Sequence, residues 1–279
     1  KEGEKMVKLI AIDMDGTLLN NDKHVDYEQK KALENAISEG ICVVLSTGRP
    51  LFGTLPLYNE LALGEANKYI IVNNGCSTHE TKNYSLIDYW KLSKEEILEL
   101  YSLSRKYKLD FTLFNEDKFF FVGENGEKPN KYTTYDSTLV YTPITTISIE
   151  EAVSGKYNMF KSMFLETIEN LDEFEENLPN DIRKKYNFPR SQPYILEAMP
   201  LEAHKGSALK KLAERLGINQ SEVMAIGDGN NDVEMLEYAS ISVAMGNSTK
   251  LARKAAKYET DTNINNGVAK AIYKYALNK

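Results

Sequence analysis

Asp13 and Asp15 stand two residues apart in the stretch Ile10-Ala11-Ile12-Asp13-Met14-Asp15-Gly16-Thr17-Leu18-Leu19, directly after the apolar run 6–12. That run is short, β-branched and broken only by Lys8, so it predicts a strand that delivers both carboxylates onto the following turn. Two acids so placed can divide labour. One carboxylate can attack phosphorus to form an aspartyl phosphate, while the other protonates the leaving oxygen and later activates water. Like charges held this close repel, which makes a cation the natural third member of the site. The plainer alternative, a pair of solvated turn residues, does not require a buried strand in front of it.

A second polar cluster, Gly227-Asp228-Gly229-Asn230-Asn231-Asp232, follows the apolar run 223–226. Its oxygen donors suit Mg2+, which keeps several waters and takes few protein carboxylates. The spacing is not that of an EF-hand loop. Read structurally, the same residues form a turn, with Asp232 capping the next helix. Lys205, followed by Gly206 at a helix start, can neutralise phosphate oxygens, although most lysines are simply solvated. Thr47 and Gly48 close the run 41–45 and offer a hydroxyl and amide donors, with helix capping as the alternative. Asn74, before Gly75, is either a phosphate contact or a turn former.

Each of these residues lies at the end of a predicted strand, and a parallel sheet gathers such ends along one edge. Helix Tyr27–Ser38 is stopped by Gly40, a broken helical stretch passes through Pro56, and Tyr69–Val72 is a third strand. Between residues 84 and 199 the rhythm changes. A helix over 92–107 carries Ser93 and Glu96 as a capping box, and Asp110–Phe114 and 118–122 form a hairpin around Asn115-Glu116-Asp117. A strand over 159–166, a helix over 169–178 and a strand over 194–198 follow; these less uniformly apolar strands predict a sheet with one exposed face. Alternation resumes with helices over 206–216, 232–238, 249–256 and 267–276 and strands over 223–226 and Ile241–Ala244. The expected fold is α/β: a doubly wound, parallel-sheet Rossmann-like core from 1–83 and 200–279, with an α/β domain inserted over 84–199.

Composition narrows the partners. A length of 279 residues allows two modest domains with buried cores. The net charge of −7 argues against broad nucleic-acid or anionic-membrane binding, yet local lysines and amides can still hold an anionic small molecule. Cys42 and Cys76 form neither a disulfide framework nor a thiolate metal site. No signal peptide or membrane-spanning run is visible, so a cytoplasmic location is expected. Residues 1–5 read as a solvated tail, with Met6 the expected start. Neither Gly-Lys-Ser/Thr nor Gly-x-Gly-x-x-Gly follows the first strand, which argues against those modes of nucleotide binding.

Together these motifs resemble the haloacid dehalogenase-like hydrolases, specifically the Cof-like branch with a large α/β cap inserted in the core. Asp13-Met14-Asp15-Gly16-Thr17-Leu18, Thr47-Gly48-Arg49, Lys205-Gly206 and Gly227-Asp228-Gly229-Asn230-Asn231-Asp232 carry the likeness in order, with Asn74-Gly75 and Asn265-Asn266-Gly267-Val268-Ala269 beside them. The resemblance implies Asp13 as nucleophile and Asp15 as general acid/base, with Thr47 and Lys205 binding phosphate beside Gly48 and Asn74. It implies Mg2+ on Asp13, the Asp15 backbone carbonyl and Asp228, supported by Asp232 and Asn231. The expected activity is Mg2+-dependent hydrolysis of small phosphomonoesters, with sugar phosphates foremost and the cap setting the choice.

The sequence departs from the usual pattern at His204, where a small hydroxyl residue is commoner, and at Asn266, where an acid is commoner. His204 reads as a loop or packing residue, and His24 and His79 as surface groups without metal-ligand spacing. Phe119-Phe120-Phe121 reads as sheet core ahead of a specificity pocket, and Arg190 as a solvated charge ahead of a second anion contact. Two rivals share the motifs: a phosphotransferase or mutase, and a non-catalytic binding protein on the same fold. Monomer and homodimer are equally compatible with the sequence.

Overall fold

In the computed structural model, which describes residues 6–64, 69–124 and 126–279, the run around Ile10 forms strand β1 (Leu9–Asp13). It is followed by β2 (Cys42–Ser46), β3 (Tyr69–Val72), β4 (Ser77–Glu80) and β5 (Leu86–Tyr89). The middle of the chain contributes β6 (Asp110–Phe114), β7 (Phe119–Val122), β8 (Ile144–Ile147), β9 (Lys161–Leu165), β10 (Tyr186–Asn187), β11 (Arg190–Gln192) and β12 (Ile195–Pro200). The last strands are β13 (Val223–Gly227), β14 (Ile241–Ala244) and β15 (Tyr258–Glu259). The tail expected at 1–5 lies outside the described residues.

Contacts divide the chain into two units, one drawn from Lys1–Gly48, Pro56–Asp88 and His204–Lys279, the other from Arg49–Leu55 and Tyr89–Ala203. Among the described residues the first unit holds an eight-stranded sheet in the order β15-β14-β13-β1-β2-β3-β4-β5. β1 is paired in parallel on both sides, Ile10 opposite Met224 of β13 and Val43 of β2. Every residue of β1 is buried, as expected of a strand covered on both faces. The chain winds outward from β1 to β2 and β3, then returns to β1's other side with β13, β14 and β15. β1 therefore sits where the winding reverses, and the crevice outside such a switch point is where doubly wound sheets bind ligands.

In and beside this sheet the structure differs from the sequence expectation at three points. β4 turns back antiparallel on β3 and β5 extends the same sheet, so the core continues past residue 84. His79, expected at the surface, is fully buried on β4, because that strand has a neighbour on each side. Its Nδ1 meets the Tyr84 carbonyl at 3.0 Å and its Nε2 the Ser77 hydroxyl at 3.1 Å, and burial lowers its pKa. Helix Leu51–Leu61 contains Pro56, where the two units divide it.

The second unit carries a sheet in the order β10-β12-β9-β6-β7-β8, with β11 paired to β12. One face packs Phe111, Leu113, Phe120 and Phe164 against Ile97 and Leu100 of helix Lys94–Tyr107 and against Leu171 and Phe174 of helix Ile168–Glu176. The helix Lys94–Tyr107 starts with the expected Ser93–Glu96 capping box. Phe114, Phe119, Met163, Leu165 and Ile195 point to the opposite face, where Phe52, Tyr132, Val140 and Tyr194 pack on them. The expectation of an exposed face does not hold, because β7, β9 and β12 are buried along their length. The polar residues that made this face look wet are paired within it: Lys161 Nζ meets Glu197 Oε1 at 3.1 Å, with both side chains buried.

Asp136, on helix Lys131–Leu139, is buried near that pair. Burial, reinforced by Glu197 and partly offset by Lys161, raises its pKa to about 6. The sign follows from linkage. Below about pH 4 folded and unfolded chains both hold the proton and the group costs nothing. Between about pH 4 and 6 only the unfolded chain ionises, and above that range the full penalty stands. Asp136→Asn is therefore expected to raise the unfolding free energy by about 1–3 kcal/mol near pH 7.5 and hardly at all near pH 4. Urea denaturation at the two pH values checks this, and equal effects at both would refute it.

Candidate active site

The loops after β1 and β13 meet through a buried lysine. Lys205 opens helix Lys205–Arg215 and is fully buried. Its Nζ donates to Asp13 Oδ1 at 2.5 Å and to Asp232 Oδ1 at 2.6 Å. The second oxygen of Asp232 accepts from the amides of Asp228 and Gly229, both at 2.9 Å. Asp232 thus organises its own loop as well as the lysine. Burial alone would discharge Lys205, but the charges of Asp13 and Asp232 outweigh it and hold its pKa above the ordinary value. The Asp13 pKa is raised as well: burial, then Asp232 and Asp228, lift it well above the usual carboxylate range against the pull of Lys205.

The loop after Asp13 is tightly turned. Leu18 N donates to Asp13 O at 3.2 Å and Leu19 N to Met14 O at 2.9 Å. Gly16 has φ +85, and a Cβ there would collide with the Asp228 carboxylate, so only glycine fits. Thr17 Oγ1 donates to Asp228 Oδ1 at 2.6 Å, fixing the acid of the second cluster from the loop of the first.

A second group forms at the ends of β2 and β3. Thr47 N donates to Ile71 O at 2.9 Å and Asn74 N to Thr47 O at 3.0 Å, which ties the two strand ends together. Asn73 and Asn74 both adopt left-handed backbone, at φ 53 and 54. Asn and Gly enter this region most cheaply, and the Asn-Asn-Gly run is the sequence signal for the turn. Gly48 packs so close to Asn74 that a Cβ would lie 2.8 Å from its Oδ1. That oxygen accepts from Asn231 Nδ2 at 2.9 Å, which joins this group to the loop after β13. The structure thus assembles Asp13, Asp228 and Asp232 around Lys205, and Thr47, Gly48, Asn74 and Asn231 beside them. Asp15 lies on the same loop as Asp13, its Oδ1 held by Lys23 Nζ at 2.8 Å.

Sequence reasoning missed the residues that hold the loop after β1. Asn247 Nδ2 donates to Gly16 O at 2.8 Å and Asn263 Nδ2 to Leu19 O at 2.9 Å. Gln29, buried on helix Tyr27–Ser38, donates to Leu18 O and Asn263 O, both at 3.4 Å, and accepts from Ala269 N at 3.0 Å. A glutamine on a buried helix face was the available signal. It also gives the late Asn265–Ala269 segment its place, with Asn266 in left-handed backbone at φ 58. His204 caps helix Lys205–Arg215: its Nδ1 accepts from Ser207 N at 3.1 Å, the task a hydroxyl usually performs. Arg190 is neither solvated alone nor a free anion contact, since Glu175 at 2.9 Å and Asp172 at 3.1 Å pair with it.

The donor set fits a hard divalent cation. Among the described residues, Asp13, Asp228 and Asp232 each place a carboxylate oxygen within 4.8 Å of the others. Both Asp232 oxygens are already engaged, which leaves Asp13 and Asp228 as the side chains to face an ion. These two carboxyls lie within hydrogen-bonding reach of each other, and burial raises the pKa of both, the electrostatics a cation reverses.

An acid cluster bridged by a buried lysine therefore lies at the switch point of a doubly wound sheet, where such folds bind their ligands. The family model for haloacid dehalogenase-like hydrolases matches residues 10–272. YxeH of Bacillus subtilis (strain 168), whose phosphatase assignment is provisional, is 38% identical over 274 residues, spanning 98% of this chain and 100% of the relative. The 5-amino-6-(5-phospho-D-ribitylamino)uracil phosphatase YcsE of the same organism is 33% identical over 271 residues, 97% of this chain and 96% of its own. The crystal structure of a haloacid dehalogenase-like hydrolase from Bacteroides thetaiotaomicron aligns with a TM-score of 0.83 at 31% identity, covering 96% of this chain and 99% of that one. The chain belongs to the haloacid dehalogenase-like hydrolases, in their Cof-like, cap-bearing phosphatase family.

Removing the lysine tests how the acids are held. Lys205→Met strands two buried carboxylates and is expected to destabilise the metal-free protein by about 3–5 kcal/mol. Adding Asp13→Asn should return part of that loss, read by chemical denaturation in EDTA. An unchanged denaturation midpoint in Lys205→Met would contradict the role given to the ion pairs.

Proposed function

We propose that this chain hydrolyses small phosphomonoesters of sugars or polyols with the help of Mg2+, through a phosphorylated Asp13. The observation that carries this reading is the Lys205 ammonium, buried between Asp13 and Asp232 with Asp228 beside them. A carboxylate at a strand end, desolvated and held by one oxygen, is oriented for attack rather than left to hydration. In this reading Asp13 attacks phosphorus in line with the leaving alkoxide, and Asp15 gives that oxygen its proton. Lys205, the Thr47 hydroxyl, the Gly48 amide and Asn74 receive the equatorial oxygens, where charge is spread in the transition state. Asp15, now ionised, takes a proton from water as it attacks the aspartyl phosphate, and inorganic phosphate leaves. Asp13, the Asp15 carbonyl and Asp228 would hold Mg2+, which supplies charge neutralisation to the transferring group. Asp232 and Asn231 support that set by fixing Lys205, the Asp228 loop and Asn74.

The substrate class rests on the relatives and on the site's chemistry. The substrate of YcsE is a phosphorylated ribityl compound, a phosphate ester of a polyol chain. The inserted segment Tyr89–Ala203 is proposed to choose the leaving group, while the core residues serve any of them. A cytoplasmic setting belongs to the same proposal and rests on the sequence. No helix among the described residues is long and apolar enough to cross a membrane.

Phosphate release from a panel of sugar, polyol and nucleoside monophosphates, with Mg2+ or EDTA, tests this reading. Metal-dependent release is expected, with Asp13→Asn lower by about 10^4-fold or more and folded like wild type. Turnover by that variant at the wild-type rate sinks the nucleophile assignment. Appearance of the phosphoryl group on a second organic substrate in place of free phosphate would identify a transferase.

A further inference from the structure

Lys23 lies outside the sequence motifs, on the loop between β1 and helix Tyr27–Ser38, and its Nζ meets Asp15 Oδ1 at 2.8 Å. The loop is built to place it. The Asn20 side chain accepts from the amides of Asp22 and His24, both at 3.0 Å, and donates to Asp26 at 2.9 Å. Asn20 N donates to His24 O at 2.8 Å and Lys23 N to Asn20 O at 3.0 Å, closing the turn. At its tip Lys23 has φ 64. Left-handed backbone is costly for a lysine and cheap for glycine or asparagine. The ion pair itself does little to repay that cost. The Lys23 and Asp15 side chains are 54% and 36% exposed, and ion pairs so open to water contribute little. The turn would form at lower cost with glycine or asparagine, so the presence of a lysine directed at Asp15 points to use of its side chain.

We propose that Lys23 is a positioning residue for Asp15, which rests on the acid/base reading above. By holding Oδ1, the ammonium sets the direction of the second carboxylate oxygen, Oδ2, on which the proton travels. In the first step that proton moves from Asp15 to the leaving oxygen as the P–O bond breaks and the Asp13–phosphorus bond forms. In the second, water gives a proton back to Asp15 as its oxygen bonds phosphorus and the Asp13–phosphorus bond breaks. Neither step moves a proton to or from Lys23, so its contribution is geometric. It therefore matters most where the leaving group needs a proton.

The discriminating measurement is kcat/KM, which reports only through departure of the leaving group, on ribose 5-phosphate and p-nitrophenyl phosphate in saturating Mg2+. The alkoxide of the first needs protonation, whereas the nitrophenolate of the second does not. Lys23→Met is expected to lose about 10- to 30-fold on ribose 5-phosphate and less than about 3-fold on p-nitrophenyl phosphate, with Lys23→Arg recovering most of the loss. Lys23→Asn should show the same selective loss while melting no earlier than wild type, because it relieves the backbone. Asp15→Asn, run alongside, should show the same selectivity more strongly. If Asp15→Asn slows both substrates equally, the acid/base reading itself fails. If Asp15→Asn discriminates but the Lys23 variants slow both substrates alike, or neither, the positioning role is overturned and the acid/base reading stands.

Discussion

Everything at this site depends on one ammonium group in a dry place. Lys205 Nζ lies between Asp13 and Asp232, with no exposure to solvent. A lone buried charge would cost several kcal/mol, roughly, and normally escape by losing its proton. Here neither partner is dispensable. Without Asp232 the lysine has one acceptor fewer and the Asp228 loop loses the oxygen that receives its amides. Without the lysine, acidic side chains gathered within 4.8 Å repel. The lysine thus holds the acids together in the ground state and is already placed among them when phosphate enters.

That arrangement needs a scaffold that brings distant residues to a common edge. Asp13 and Lys205 are 192 positions apart, and Thr17 and Asp228 are 211 apart. Parallel pairing of β1 with β13 and β2 makes them neighbours, because every strand of that set ends on the same side. The loops are then fixed by polar groups. Asn247, Asn263 and Gln29 take up the carbonyls of Gly16, Leu18 and Leu19, which would otherwise need water. The left-handed Asn73-Asn74-Gly75 turn likewise brings a side-chain oxygen against Asn231. Backbone strain is accepted here, where it sets geometry at the strand ends.

The second unit follows a different logic. Its sheet packs one face on helices in the ordinary way, while the other carries Lys161 and Glu197 among phenylalanines. Such a pair is weak support for stability, since well-packed apolar residues of similar volume often serve as well. Asp136, held near this pair with a raised pKa, adds to the cost at neutral pH. The core and this unit therefore both bury charge, but only in the core does the cluster match a reaction.

The candidate site residues could be picked out in the sequence because strand ends are marked by a change of composition. Apolar runs end one or two residues before Asp13, Thr47, Asn74 and Asp228, and a period-2 or fully buried strand followed by Gly, Asn and Asp reads the same way in any context. The doubly wound core was legible for the same reason, since alternation of strand and helix is a local property. Pairing was not local. That Lys205 bridges Asp13 and Asp232, that Thr17 holds Asp228, and that Gln29 joins the first loop to Ala269 follow from strand order and register, which composition does not encode. His79 and the second sheet's face carrying Lys161 and Glu197 were expected to be exposed, because polar side chains read as exposed until their partners are known. The sequence by itself determined which residues could do phosphoryl chemistry and on what class of fold. Only the tertiary structure decided which of them share a charge, because a buried ion pair exists through proximity across the sheet and not through neighbourhood in the chain.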